Sequence, residues 1–382
     1  MDDQRLRVLI VDDTVVYRRI LSEVVEALGE AVVVGTAPHG RLALAKLDQT
    51  PADLVLLDVE MPEMDGFETL KEIRRRHPET KVVMVSGASL SAAENTVRCL
   101  EQGALDFLHK PEGVDAEAGR QELKDRLRPL LRLAQTRINL HRGTAARGSA
   151  PAGAPMAHPI ASAAPAHASP APRPGRMAPV PERIDVVGIG VSTGGPNALA
   201  ELIPSLPADF PVPILLVQHM PPVFTASLAE HLDQRSKVTV REAKDGEPVL
   251  PGCVYIAPGG KHMVFRRLPG GGDGAAPPII GLNENPPENS CRPSVDVLFR
   301  SLAAQFEGNM LAVIMTGMGN DGCEGVRAMK RRGCLCLTQS EASCIVYGMP
   351  LSVDEAGLSD EQVPLDRLAD RIVHLVRRNR GQ

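Results

Sequence analysis

Ser192 closes an apolar run, Val186 to Val191, and is followed by Thr193-Gly194-Gly195-Pro196. A continuous apolar run marks a buried parallel strand, and glycines just after it permit a sharp turn. Such a turn would lift the Ser192 hydroxyl above the carboxyl edge of a sheet, where open α/β folds bind ligands. Gly190-Val191-Ser192-Thr193-Gly194 fits G-x-S-x-G, the strand-turn-helix elbow of a nucleophilic serine. Gly188, Gly190 and Gly194 could instead cradle a phosphate, as in a dinucleotide-binding turn. The plainest reading is a strand-to-helix turn without chemistry.

Two later strand ends bear on these alternatives. VPILLVQHMPPVFT (212–225) reads as a strand whose carboxyl end delivers His219, and NMLAVIMTGMGND (309–321) as a buried strand running into a glycine-rich turn that carries Asp321. Singly, a histidine is more often structural, and Asp in G-N-D-G is ordinary turn chemistry. Together they supply a nucleophile, a base and an orienting carboxylate, the set that serine catalysis needs. Glycines beside them would expose backbone N–H groups as an oxyanion hole, with the turn at Met318 and Gly319 the expected place. A dinucleotide site would want an acid about twenty residues on, at the second strand end; that position offers His219. The order Ser…His…Asp also differs from the Ser…Asp/Glu…His of ordinary α/β-hydrolases.

A second constellation lies nearer the N-terminus. VLIVDD (8–13) ends in Asp12 and Asp13, DLVLLDVEMP (53–62) carries Asp58, KVVMVSGA (81–88) carries Ser86, and DFLHKP (106–111) carries Lys110. In a parallel sheet all carboxyl ends share one edge, so these residues converge although about a hundred positions separate the first from the last. Crowded carboxylates must share protons or bind a hard cation, and Mg²⁺ suits oxygen ligands beside a phosphate. An Asp there can accept a phosphoryl group as an aspartyl-phosphate, with a lysine and a hydroxyl to bind its oxygens.

The elements that position both sets alternate between strand and helix, so the fold class expected is α/β. A flavodoxin-like domain is followed by a doubly wound, mainly parallel one. At 382 residues, with 43% hydrophobic and 23% charged, the chain is long enough for two cores. The first domain is expected over 5–125, the end of a charged helix (about 121–141) and a linker fill 126–181, and the second domain spans 182–376. Gly143 to Pro181 is rich in Ala, Pro and Gly, and only Arg147, Arg173 and Arg176 are charged, so it reads as an extended tether. A net charge of −5 gives no nucleic-acid footprint. The N-terminus has acids where a signal peptide is basic, and no apolar stretch approaches a membrane span. Seven cysteines without a C-x-x-C pair read as reduced thiols of a cytosolic protein, and Cys334 and Cys336 are expected on one face of a strand.

The DD pair, D-x-x-M-P-x-x-D-G, S-G-A and K-P of residues 5 to 125 closely resemble the receiver domain of bacterial response regulators. That resemblance implies phosphoryl transfer from a sensor histidine kinase to Asp58. It implies Mg²⁺ held by Asp13, Asp58 and the main-chain carbonyl of Glu60, with Asp12 in support, and switch residues at Ser86 and Phe107. The second half resembles the catalytic domain of the chemotaxis protein-glutamate methylesterases, the CheB family. The resemblance rests on GVSTGGP, VQHMPPVFT, APGGKHM (257–263), RPSVDVLF (292–299) and MTGMGNDG (315–322). It implies Ser192 as nucleophile, His219 as general base, Asp321 as its partner, Met318 at the active-site turn, and Thr193 and His262 lining the region. The implied reaction is hydrolysis of glutamate methyl esters on chemoreceptors, together with glutamine deamidation and with no cofactor for the ester chemistry. The implied setting is cytoplasmic, without membrane insertion. A receiver governing a non-catalytic binding module is the alternative; a transcriptional output would need a basic helix-turn-helix, which the chain after Pro181 lacks. The unphosphorylated receiver is expected to pack over the catalytic edge. The long tether and a lengthened hairpin loop at 270–278 depart from the family pattern.

Overall fold

A computed structural model describes residues 5–111, 116–147, 183–267 and 277–378. The first unit runs β1 (Leu6–Val11), α1 (Val15–Leu28), β2 (Ala31–Ala37), α2 (Gly40–Gln49), β3 (Leu54–Asp58), α3 (Gly66–Arg76), β4 (Lys81–Ser86), α4 (Leu90–Glu101), β5 (Asp106–His109) and α5 (Ala116–Arg147). Its strands are parallel and ordered β2-β1-β3-β4-β5, the flavodoxin-like order. β3 is buried at every position, as its unbroken apolar run requires, with cores on both faces of the sheet.

The second unit comprises β6 (Val186–Val191), α6 (Gly195–Leu202), β7 (Ile214–Gln218), α7 (Phe224–Arg235), β8 (Thr239–Glu242), β9 (Cys253–Ile256), β10 (His262–Arg266), β11 (Ile279–Asn283), α8 (Val295–Gln305), β12 (Met310–Ile314), α9 (Cys323–Lys330), β13 (Leu335–Gln339), α10 (Met349–Glu355), β14 (Glu361–Val363) and α11 (Leu365–Arg377). Seven parallel strands lie in the order β14-β13-β12-β6-β7-β9-β8. β6 sits mid-sheet, between the strands that precede His219 and Asp321. β10 and β11 form a separate antiparallel hairpin; the expected loop at 270–278 falls mostly outside the described residues. Cys334 and Cys336 are buried in the same core, as alternation along a strand dictates.

Local boundaries depart from the sequence reading where prolines and alanines decide them. β7 ends at Gln218, and after Pro221-Pro222 the chain turns into α7 at Phe224, so 219–225 is not strand. α6 has Pro196 in its first turn, where a missing N–H costs nothing. α5 continues to Arg147, so residues 143–147, read as tether, are helical; alanines there favour helix. Residues 148–182 lie outside the described residues. Among the described residues no helix is long and apolar enough to cross a membrane.

Candidate active site and phosphoacceptor site

Ser192 leaves β6 in a turn held at three points. Its N–H donates to the Thr316 carbonyl at 3.0 Å, its carbonyl accepts from Gln218 Nε2 at 3.0 Å, and Gly195 N–H closes the turn onto that carbonyl at 2.7 Å. Gly194 takes the left-handed φ of 75° just before α6. The other glycines are used for packing. A Cβ on Gly188 would come 2.7 Å from the Phe299 ring, and one on Gly190 would come 2.5 Å from Val295, so both residues let α8 lie directly on β6. The phosphate-cradle reading thereby loses the two glycines it needs on the strand.

The close approach of α8 matters because its N-terminus holds Asp321. Oδ1 accepts from Ser294 Oγ (2.9 Å), Asn289 Nδ2 (2.9 Å) and the N–H groups of Asp296 (3.0 Å) and Gly322 (3.1 Å). Oδ2 accepts from Val295 N–H at 2.7 Å and lies 2.8 Å from His219 Nε2. Amides at a helix start are unpaired donors with positive partial charge, a ready anion site. Burial alone would raise the Asp321 carboxyl; the His219 contact and these amides outweigh it and hold it down at about 2. His219 follows β7 directly, its N–H bonded to the Val191 carbonyl at 3.2 Å. Burial lowers the imidazole, but Asp321 and the nearby Cys291 push it up to about 9.

The structure therefore brings all three predicted residues to one edge, Ser192 and His219 on adjacent strand ends and Asp321 in the turn after β12. The Ser192 hydroxyl is not bonded to the ring: His219 reaches Asp321 with Nε2 and Cys291 Sγ with Nδ1, at 3.5 Å. Gly317, whose added Cβ would come 2.7 Å from Ser192 Cβ, packs against the nucleophile. Met318 beside it is 39% exposed, and Gly319 has a φ of 83°. His262 does not line the opening. It is fully buried, with Nδ1 accepting from Ser294 N–H at 3.2 Å and Nε2 3.1 Å from the Pro286 carbonyl, and supports the 286–294 segment from behind. Sequence reasoning missed Asn289, Cys291, Ser294 and Asp296. Ser294 alone carried a signal, a helix N-cap serine before an apolar run.

At the edge of the first sheet, carboxylate oxygens of Asp12, Asp13 and Asp58 lie within 4.8 Å of one another. Lys110 Nζ bridges Asp12 and Asp58 at 2.8 Å each. Burial, opposed by Lys110 and aided by the neighbouring acids, pushes Asp58 up to about 6. Glu60 is exposed on the loop after β3. Ser86 and Phe107 have their contacts elsewhere. The Ser86 hydroxyl accepts from Thr96 Oγ1 of α4 at 2.8 Å, and Phe107 stacks on Phe224 of the second unit, with centroids 4.8 Å apart.

That stack belongs to a contact between α4–β5 and α6–α7. Glu101 pairs with His231 at 2.6 Å and with Arg235, Asn197 Nδ2 donates to the Ala104 carbonyl at 3.2 Å, and Ala93 and Val97 join the second unit's core. Asp106 is buried in this contact; its carboxyl accepts from Phe107 N–H at 2.8 Å, and the Gly194 N–H and Thr193 hydroxyl, in the turn that carries Ser192, lie near enough to favour its charged form. Burial outweighs these donors and pushes it up to about 7. Thr193 thus faces the first unit.

Comparison with known proteins agrees with this division. The sequence model of the response regulator receiver domain matches residues 8–121, and that of CheB methylesterase matches residues 187–372. The molecule is a response regulator whose output unit, a hydrolase, has an α/β fold. The chain belongs to the CheB methylesterase family. A protein-glutamate methylesterase/protein-glutamine glutaminase of Desulfotalea psychrophila is 41% identical over 98% of this chain and 99% of its own length. One from Trichodesmium erythraeum is 39% identical over 97% of this chain and 99% of its own. The solved catalytic domain of Thermotoga maritima CheB methylesterase is 42% identical, covering 50% of this chain and 99% of that one, with a TM-score of 0.47.

Proposed function

We propose that Ser192, His219 and Asp321 carry the protein-glutamate methylesterase and protein-glutamine glutaminase activity of this chain. Ser192 Oγ attacks the ester carbonyl as His219 Nδ1 takes its proton, while Asp321 holds the ring through Nε2. The proton passes to the departing methoxide, methanol leaves, and water, activated by the same base, releases the γ-carboxylate from the acyl-serine. A glutamine side chain enters the same acyl-enzyme with loss of ammonia. Backbone N–H groups of the Met318–Gly319 turn are the oxyanion donors in this reading. The observation that carries it is the 2.8 Å contact of His219 with a carboxylate anchored on a helix N-terminus, beside the Ser192 turn. Methanol release from a methylated chemoreceptor fragment tests it: Ser192→Ala should cost on the order of 10⁴-fold or more. Equal rates for the variant and wild type would overturn it.

Asp58 is the phosphoacceptor in this reading, and a sensor histidine kinase of the chemosensory pathway the donor. Asp12, Asp13, Asp58 and the Glu60 carbonyl would hold Mg²⁺. The clustered carboxylates and the raised Asp58 suit a hard cation, which supplies charge neutralisation for the incoming phosphoryl group. Lys110, which bridges Asp12 and Asp58, would bind a phosphoryl oxygen in this reading. Chemoreceptors in the cytoplasm are the substrates. The contact of Asp106 with Thr193 and Gly194, and of Phe107 with Phe224, supports a receiver that restrains the catalytic edge until Asp58 is phosphorylated.

A further inference from the structure

His219 has one ring nitrogen to spare. Nε2 is committed to Asp321, so Nδ1 must take the Ser192 proton, yet it faces Cys291 Sγ at 3.5 Å. A neutral ring that donates Nε2–H to the carboxylate keeps its lone pair on Nδ1, open to either the thiol or the serine hydroxyl. The imidazolium instead donates Nδ1–H to sulfur. In either state the thiol and Ser192 compete for one atom. Cys291 is brought there by a tight turn. Glu288 and Cys291 exchange backbone hydrogen bonds at 3.1 and 2.9 Å, and Asn289 and Ser290 take left-handed φ values of 52° and 61°. The turn is tied to the same catalytic group, because Asn289 Nδ2 bridges Asp321 and Asp296 at 2.9 Å each. Of the seven cysteines the other six are buried, and burial pushes Cys99 and Cys334 up to about 12, where a thiol is inert.

We propose that Cys291 is a positioning residue that holds the free nitrogen of His219 between turnovers and yields it to Ser192 when substrate enters, which makes it the reactive thiol of this protein. The proposal rests on the reading of Ser192, His219 and Asp321 given above. Alkylation by iodoacetamide would form a bond from Sγ to carbon and release iodide. The thiol proton would go to Nδ1 and then to water, and the added group would stand between the base and Ser192.

The test uses the full chain and a methylated receptor fragment. In the pH profile of kcat/KM, Cys291→Ala should move the midpoint of the ascending limb down by about 1 pH unit, because the imidazolium loses its sulfur acceptor. Cys291→Ser, the conservative variant, should return part of that shift, and serves alone if the alanine variant does not fold. In wild type, mass mapping should find Cys291 alkylated before any other cysteine, with methanol release lost in parallel, and Cys291→Ala should resist that loss. A folded Cys291→Ala with an unchanged midpoint, or alkylation that starts elsewhere, overturns the proposal. Ser192→Ala separates the two readings: if it retains activity the triad fails, whereas if it is inactive and the midpoint is unmoved only the role of Cys291 fails.

Discussion

At the receiver edge, Asp12, Asp13 and Asp58 crowd three carboxylates around Lys110, whereas at the hydrolase edge Asp321 is surrounded by donors. Both edges are the carboxyl ends of parallel strands, so topology alone gives them the same kind of site. The electrostatics separate them. Asp58 is pushed up to about 6 by burial among like charges, and Asp321 is held at about 2 by His219 and the start of α8. One edge is left short of positive charge and suits a cation and a phosphoryl group. The other is charge-balanced internally and needs no metal to keep its carboxylate ionised.

The largest break in this contrast comes from removing the anchored charge. Asp321→Asn leaves His219 without its ion partner and turns an amide toward the donors of α8, so kcat should fall by about 10³–10⁴-fold. Steady-state methanol release measures it, and a loss under tenfold would mean that Asp321 is not the orienting group. The next effect is on pH. A base raised to about 9 is protonated at neutrality, so kcat/KM should climb about tenfold from pH 7 to 8 and about fivefold more from 8 to 9. The same pair links to stability. Because the folded value of His219 lies above 6.5, the imidazole's contribution is complete below pH 6.5 and is lost as pH rises through about 9.

A smaller effect, of the same sign in pH, is expected at the receiver. Asp58 is also raised, so what its protonated form contributes is present below 3.8 and lost as pH rises through about 6. Asp58→Asn removes that penalty and should stabilise the receiver by about 2 kcal/mol at pH 7.5 in the absence of divalent cation. The gap should close as pH falls below 6, in urea unfolding followed by receiver-specific hydrogen exchange; a gap independent of pH would argue against charge crowding. The smallest effect concerns the contact between the edges. Phe107→Ala gives up an aromatic stack worth about 0.5–1.5 kcal/mol and should raise unphosphorylated hydrolysis by several-fold. Unchanged basal hydrolysis would mean that this contact does not restrain the enzyme.

The strand ends were legible because an apolar run followed by a polar or glycine-rich turn has one reading in a parallel sheet. Ser192, His219, Asp321, Asp12, Asp13, Asp58 and Lys110 could all be placed on two edges from that pattern. Two predicted residues have partners that the pattern does not give. Ser86 and Phe107 sit at or near strand ends, yet they point to Thr96 and Phe224. Side-chain direction there depends on what packs outside the sheet, which periodicity does not encode.

The amino-acid sequence by itself determined two α/β units, the residues at each edge and the chemistry their types allow, since period and composition are local properties. Only the tertiary structure decided why β6 carries glycines, which is to admit α8, and why Asp321 stays ionised, which is that α8 begins there. It also placed Asn289 and Cys291 against the catalytic pair and Asp106 on the Ser192 turn. These are contacts between segments distant along the chain, fixed by helix packing and turn geometry that no local pattern carries.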